Sequence, residues 1–445
     1  MFRFLYNLAA APLLPAGLRL LALFQDKARR LQEAQVQLLP ELLAKLKSLP
    51  PDQARILVHV SSVGEYLSAL PLIRAIRERY PRLAVVLSFS SPSLEGQLTF
   101  GARVTPPAQP LTTAFHLATY LPLDTSSAVR RFLDLVNPSL ILFASYDVWP
   151  NLLWLARERG ISCALVNGIL SQASGRFRFP ARWFFSSLYR NLDWVGAVAE
   201  EDVKRFLALG LESEKVAVTG NCRFDQTLFR CQAVTDQDPD LAQIPPQCWV
   251  IAGSTWPADE EVLLLAWARL AVSHPDLGLI LAPHEPSEKH LQKIEIRLEK
   301  ARLSCIRYSY LGAEKSMRFR IVLVDKVGIL YKLYRRGMFA FIGGGFGRGV
   351  HNVMEPAGMG LPVIVGPRRW NSAEALLMET RGGAFSVSNR AKLYAVMERL
   401  VEDEVFRREA GARAEAVVRE NAGATERTLE KLMDRFPKIF SGGKD

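Results

Sequence analysis

The sequence predicts an α/β protein made of two doubly wound, mostly parallel sheets, and three observations carry that prediction. Short runs rich in valine, isoleucine and leucine alternate with amphipathic stretches through most of the 445 residues, as expected for strands joined by covering helices. The alternation comes in two series, divided by a polar, proline-containing stretch at 226–247. Polar residues gather where the apolar runs end, which is where open α/β sheets bind ligands.

Composition narrows the function. With 49% hydrophobic residues the chain has ample material for two cores. A net charge of +11 points to an anionic partner: nucleic acid, a membrane surface or an acidic substrate. No RNA-binding motif or basic-aromatic repeat appears, so nucleic acid is disfavoured. The five cysteines are scattered without C-x-x-C spacing. They predict neither a disulfide framework nor a zinc site, and they fit a reducing cytosol.

Residues 1–30 read as a membrane anchor. The run FLYNLAAAPLLPAGLRLLALF is apolar, is interrupted by Pro12, Pro15 and Arg19, and is followed by Lys27, Arg29 and Arg30. As one helix it is long enough to span a bilayer, and its interruptions equally suit a segment lying in the surface. The basic flank places it on the cytoplasmic side.

The first domain is placed at 31–225. RILVHV predicts a strand, and Val63, Leu67, Leu70, Ile73 and Ile76 then recur at helical spacing. Glu65 sits in the first turn of that helix, beside Ser61, Ser62 and Gly64. An acid there is favoured by the helix dipole, and it also stands at a strand end where ligands gather. Further strands are expected at 84–89, 139–143, 162–166, 194–198 and 216–220. The segment 100–120, with Pro106, Pro107 and Pro110, reads as a loop. Asp147 and Trp149 follow the strand at 139–143, and Arg223 and Asp225 close the domain in GNCRFD.

The second domain is placed at 248–445, after a linker at 226–247. Strands are expected at 248–253, 277–282, 319–324, 338–342 and 361–365, and a charged helical tail from Arg390. Four strand ends carry polar residues. Ser254 and Thr255 follow the first, Pro283 and His284 the second, and Asp325 with Val327, Gly328 and Ile329 the third. The fourth opens GGGFGRGVHNVMEPAGMG, which holds Gly344, Gly345, Asn352, Val353, Met354 and Glu355. Glycines let backbone N–H groups approach a ligand, and a helix N-terminus behind them favours phosphate. The spacing is neither a Walker nor a dinucleotide fingerprint. No D-x-D pair stands at a strand end, so no metal is expected.

The motifs HVSSVGE, YDVWPNLL, GNCRFD, GSTWPADEE, LAPHEPSE and GGGFGRGVHNVMEPAGMGLPVIVGP, in this order, resemble those of the 3-deoxy-D-manno-octulosonic acid (Kdo) transferases. The resemblance covers nearly all of residues 1–380. It lies nearer the form of Bacteroidetes-like bacteria than the enterobacterial one, because Trp256 replaces a frequent histidine and PHEP an arginine-containing motif. It implies a GT-B glycosyltransferase, with two Rossmann-like domains facing each other across a cleft, at the cytoplasmic face of the inner membrane. It implies an inverting, metal-independent transfer of Kdo from CMP-Kdo, held by the second domain, to lipid A precursor, received by the first. No other cofactor is implied.

By motif match Glu65 is the base, Arg223 stands for a transition-state lysine, and Asp147 is the second acid of a pair whose first member is Ser145 here. Pro283 and His284, Val327 to Ile329 and Asn352 to Glu355 match positions around CMP, with Ile329 replacing a common glutamate. Glu355 suits ribose hydroxyls, and Gly344 and Gly345 the phosphate. Two alternatives remain on the same scaffold: a transferase using another nucleotide sugar, and a non-catalytic nucleotide- or lipid-binding protein.

Overall fold

Continuous apolar runs form strands that pair only in parallel, and helices bury them on both faces. The computed structural model describes residues 2–50, 53–95, 98, 114–245, 247–311 and 319–441. The chain divides into two compact units, Met1–Gln226 with Ala422–Asp445, and Thr227–Asn421.

In the first unit the strands are β1 (Arg55–Val60), β2 (Ala84–Phe89), β3 (Leu117–Tyr120), β4 (Leu140–Ala144), β5 (Ser162–Gly168), β6 (Trp194–Ala197) and β7 (Val216–Val218). Their order is β3-β2-β1-β4-β5-β6-β7. The winding reverses between β1 and β4, so the carboxyl ends of those two strands border the crevice where such sheets bind ligands. In the second unit the strands are β8 (Cys248–Thr255), β9 (Leu277–Pro283), β10 (Cys305–Arg307), β11 (Ile321–Leu323), β12 (Gly337–Ile342), β13 (Val363–Val365) and β14 (Ala384–Ser386). Their order, β10-β11-β9-β8-β12-β13-β14, reverses between β8 and β12. β2, β4 and β9 are buried along their whole length, as strands covered on both faces must be.

Three strands escape the sequence pattern: β3, β10 and β14. Each ends a sheet and is three or four residues long, too short to show a period. β3 also corrects the loop expected over 100–120. Residues 100–113 of that segment, with its three prolines, lie outside the described residues.

The domain limits need two corrections. The last helices, assigned by sequence to the second domain, belong to the first unit. Helix Ala424–Arg435 is capped by Asp225, whose carboxylate accepts the Thr425 amide at 2.7 Å and its hydroxyl at 2.6 Å. Its Leu429 and Leu432, with Phe436 and Phe440, enter the first core. Amphipathic spacing shows that a helix buries one face but not which sheet receives it. The stretch 226–247 is also not a bare linker. Helix Arg223–Ala233 runs through its start, and Lys332 fixes Asp238 at 3.0 Å and Asp240 at 2.7 Å.

The apolar segment is helical over Phe2–Ala22, with mean hydropathy 1.3. Its first turns are tied to the first unit: Tyr6 donates to Asp124 at 2.8 Å, Asn7 to Asn151 at 3.0 Å, and Tyr6 stacks on Phe184. Further along, Leu13, Leu20, Leu21, Leu23 and Phe24 are exposed.

Candidate functional site

In the first unit, Glu65 stands just beyond the carboxyl end of β1, in the first turn of helix Val63–Arg79. Ser62 caps this helix by accepting the Glu65 amide at 3.2 Å, and the Glu65 carboxylate reaches back to the Ser61 amide. This reciprocal capping box explains why the acid is held there. Cap acids are ordinarily exposed, yet Glu65 is only 5% exposed. Burial pushes its carboxyl up to about 7, the Ser61 amide opposes the shift, and the negative charge of Asp147 adds to it. A carboxyl poised near neutrality can take a proton and release it again, as a general base must.

The wall behind it is uncharged. Ser61 Oγ accepts from the Trp149 indole at 3.4 Å and lies 3.4 Å from His59 Nε2, while His59 Nδ1 lies 3.1 Å from Ser88 Oγ. Complete burial pushes His59 down to about 3, so it stays neutral and cannot stabilise a carboxylate by its charge.

Asp147, beyond the end of β4, lies 3.5 Å from Arg176, which also donates to the Tyr146 carbonyl at 2.9 Å. The structure therefore brings Asp147 and Arg176 into the field of Glu65. The sequence reading missed Arg176, whose loop showed no motif. Arg223 opens the helix that follows β7, half-buried, with its amide on Asn221 Oδ1 at 3.0 Å.

In the second unit the glycine-rich stretch is organised by Asp259, another residue missed by sequence. Its carboxylate is fully buried and accepts three amides: Trp256 at 2.9 Å, Gly344 at 2.7 Å and Phe346 at 3.0 Å. The Gly344 N–H expected to meet a phosphate is thus already engaged. A Cβ on Gly344, whose φ is +89°, would collide with the Gly349 carbonyl, and one on Gly345 with the Gly366 backbone. These glycines serve close packing. The following helix, Met354–Gly358, begins well beyond them, so they do not front its N-terminus. The signal available in the sequence was the acid three residues after Trp256, in capping-box position.

Thr255, among the polar residues expected at this strand end, offers no free hydroxyl, because it is buried and its hydroxyl donates to Glu260 at 3.1 Å. Ser254, at φ +54°, and Pro283 stand at the adjacent ends of β8 and β9. Trp256 donates from its indole to His351 Nε2 at 2.7 Å, and His284 stacks on His351 with ring centroids 4.2 Å apart. Since Nε2 accepts, the His351 proton sits on Nδ1. Burial pushes His351 down to about 4, with His284 adding to the fall and Asp259 opposing it.

Val327 is exposed, Gly328 takes φ +91°, and Ile329 is buried at the start of the short helix Leu330–Leu333. Asn352 accepts the Met354 amide at 3.2 Å, Val353 and Met354 are buried, and Glu355 accepts from Arg230 at 2.6 Å. Asp325 binds Ser309, consistent with a capping acid.

Solved structures share this architecture. A putative UDP-N-acetylglucosamine 2-epimerase from Listeria monocytogenes is similar with a TM-score of 0.59 at 14% identity, over 87% of this chain and 97% of its own. UDP-GlcNAc 2-epimerase from Neisseria meningitidis is similar with a TM-score of 0.58 at 14% identity, over 84% of this chain and 100% of its own. Two parallel Rossmann-like sheets mark the GT-B class of fold, to which this protein belongs.

The family model described as 3-Deoxy-D-manno-octulosonic-acid transferase (kdotransferase) matches residues 28–226. The 3-deoxy-D-manno-octulosonic acid transferase of Bordetella pertussis is 31% identical over 395 residues, 86% of this chain and 88% of that protein. That of Haemophilus influenzae is 29% identical over 391 residues, with the same coverage. The chain belongs to the 3-deoxy-D-manno-octulosonic acid transferase family.

Proposed function

We propose that this protein transfers Kdo from CMP-Kdo to a sugar hydroxyl of lipid A precursor, with inversion and without a metal. The observation that carries this reading is Glu65: a buried carboxyl, pushed up to about 7, at the end of the strand beside the reversal of the sheet. A hydroxyl attacking an anomeric carbon must lose its proton as the new bond forms. Glu65 takes that proton. The bond from the anomeric carbon to the phosphate oxygen breaks, and CMP leaves with the electron pair. Arg223 stabilises the charge that develops on the departing phosphate. Asp147, tied to Arg176, raises the proton affinity of Glu65.

The donor is held by the second unit. Ser254, Pro283 and His284, Val327 to Ile329 and Asn352 to Glu355 surround CMP, and the Glu355 carboxylate accepts ribose hydroxyls. The basic net charge suits a phosphorylated lipid on an anionic membrane. The N-terminal helix favours lying in the cytoplasmic surface of the inner membrane over spanning it. Its first turns keep polar contacts with the first unit while Leu13, Leu20 and Leu21 face outward.

Mass spectrometry of lipid A precursor incubated with CMP-Kdo and the protein, with and without EDTA, tests donor, acceptor and metal together. The expected product is the precursor plus one or more Kdo residues, in equal yield in both arms. Thermal protection by UDP rather than CMP would point to another nucleotide sugar.

A further inference from the structure

Glu355 does not stand alone. Helix Arg223–Ala233 crosses directly over the short helix Met354–Gly358 that carries it. The approach is close: a Cβ on Gly358 would meet Cys231 Sγ at 2.9 Å and Thr227 Cγ2 at 3.2 Å, and Cys231 donates to the Glu355 carbonyl at 3.6 Å. From the same helix Arg230 extends its guanidinium over the Tyr331 ring, 3.9 Å from the centroid, and donates from Nη1 to Glu355 Oε1 at 2.6 Å. The planar guanidinium is thus fixed on one side by an aromatic face and on the other by the carboxylate, an arrangement that lysine cannot reproduce. Glu355 is 14% exposed on its side chain, and among the described residues Oε2 accepts no hydrogen bond.

We propose that Arg230, held by Tyr331, is a positioning residue that keeps Glu355 turned so that its carboxylate accepts from the 2′- and 3′-hydroxyls of the donor ribose. Arg230 itself does not touch the ligand. The proposal rests on the reading that Glu355 meets the donor ribose, and it adds the residue that gives this carboxylate its orientation. An unpaired carboxylate in this place would be free to swing away, and that removes an acceptor for the diol.

The test measures the affinity of the full-length protein for CMP and for 2′-deoxy-CMP by calorimetry. The native protein should prefer CMP by about tenfold or more, the worth of a hydrogen bond to a charged group. Arg230→Ala should bind CMP about tenfold more weakly and lose most of the preference, with a smaller loss for 2′-deoxy-CMP, which keeps the 3′-hydroxyl. Arg230→Lys, which keeps the charge and is the milder change for folding, should fall between. Glu355→Gln should lose the same preference, and the double variant should lose no more than the worse single one, because the two side chains act as a unit.

A full preference for CMP that survives in Arg230→Ala, or losses in Arg230→Ala that add to those of Glu355→Gln in the double variant, would overturn the proposal. A native protein that binds CMP and 2′-deoxy-CMP equally would also overturn it, by removing Glu355 from the ribose. A native protein that ignores both but binds another nucleotide overturns the donor reading instead. The ribo and deoxy forms of that nucleotide then decide the role of Arg230 by the same ratio.

Discussion

The two units treat their acids in opposite ways on the same kind of sheet. In the first, Glu65 is buried beside a neutral histidine and within the field of a second acid, so its carboxyl holds a proton up to about 7. In the second, the buried Asp259 is surrounded by three backbone amides and Glu355 is paired with Arg230. A carboxylate with matched donors is fixed in place, whereas a buried one with too few donors exchanges its proton near neutrality. The first arrangement suits proton transfer. The second suits binding, where a change of charge would loosen the ligand.

The contrast can be broken most severely at Glu65. Glu65→Gln removes the base and should lower kcat by about 10²- to 10⁴-fold while leaving CMP affinity unchanged. A fall in CMP affinity of the same size would move Glu65 out of the base role. In the native protein log kcat/KM should rise with pH up to about 7 and then level, because Glu65 must be ionised to act.

Stability carries the matching sign. The folded carboxyl binds its proton more tightly than the unfolded one, whose ordinary value is 4.5, so the stability linked to this proton is fully present below 4.5 and is lost as pH rises through about 7. Glu65→Gln should therefore be more stable than the native protein at pH 8, by ~1–3 kcal/mol, and thermal melts at pH 5 and pH 8 read the difference.

Asp259→Asn tests the other side of the comparison. It exchanges one acceptor oxygen for an NH2 group facing backbone N–H donors, so it should destabilise the protein by ~2–3 kcal/mol and loosen the glycine-rich stretch. Hydrogen exchange at Gly344 and Phe346 would report that loosening, and unchanged protection would deny Asp259 its organising role.

The smallest effect is expected from Trp256→Phe, which keeps an aromatic ring but removes the indole donor to His351, worth ~1 kcal/mol. Imidazole 15N shifts should show His351 protonated at Nδ1 alone in the native protein. In the variant they should show a mixture of tautomers, with a proton affinity rising from its native value of about 4. A single Nδ1-protonated form in the variant would show that another group sets the tautomer.

Much of this was legible in the sequence, and the reasons for the rest are physical. The long buried strands β1, β2, β4, β8 and β9 appear as unbroken apolar runs, while β3, β10 and β14 are too short for any period to emerge. Glu65 was visible because capping and strand-end position are local properties. Arg176, Asp259 and Arg230 were not singled out, because each acquires its role from a partner 29, 85 or 125 positions away. Gly344 was misread for the same reason: its N–H is free in sequence and occupied in space.

The sequence by itself determined two parallel α/β sheets, the strand ends where ligands gather, and the family motifs, since periodicity and strand-end chemistry are written locally. Only the tertiary structure decided that the last helices pack into the first core, that the glycines meet Asp259, and that burial raises the proton affinity of Glu65 while Glu355 pairs with Arg230. Proton affinity depends on burial and on which donors surround a carboxylate, and both are set by segments distant in the chain.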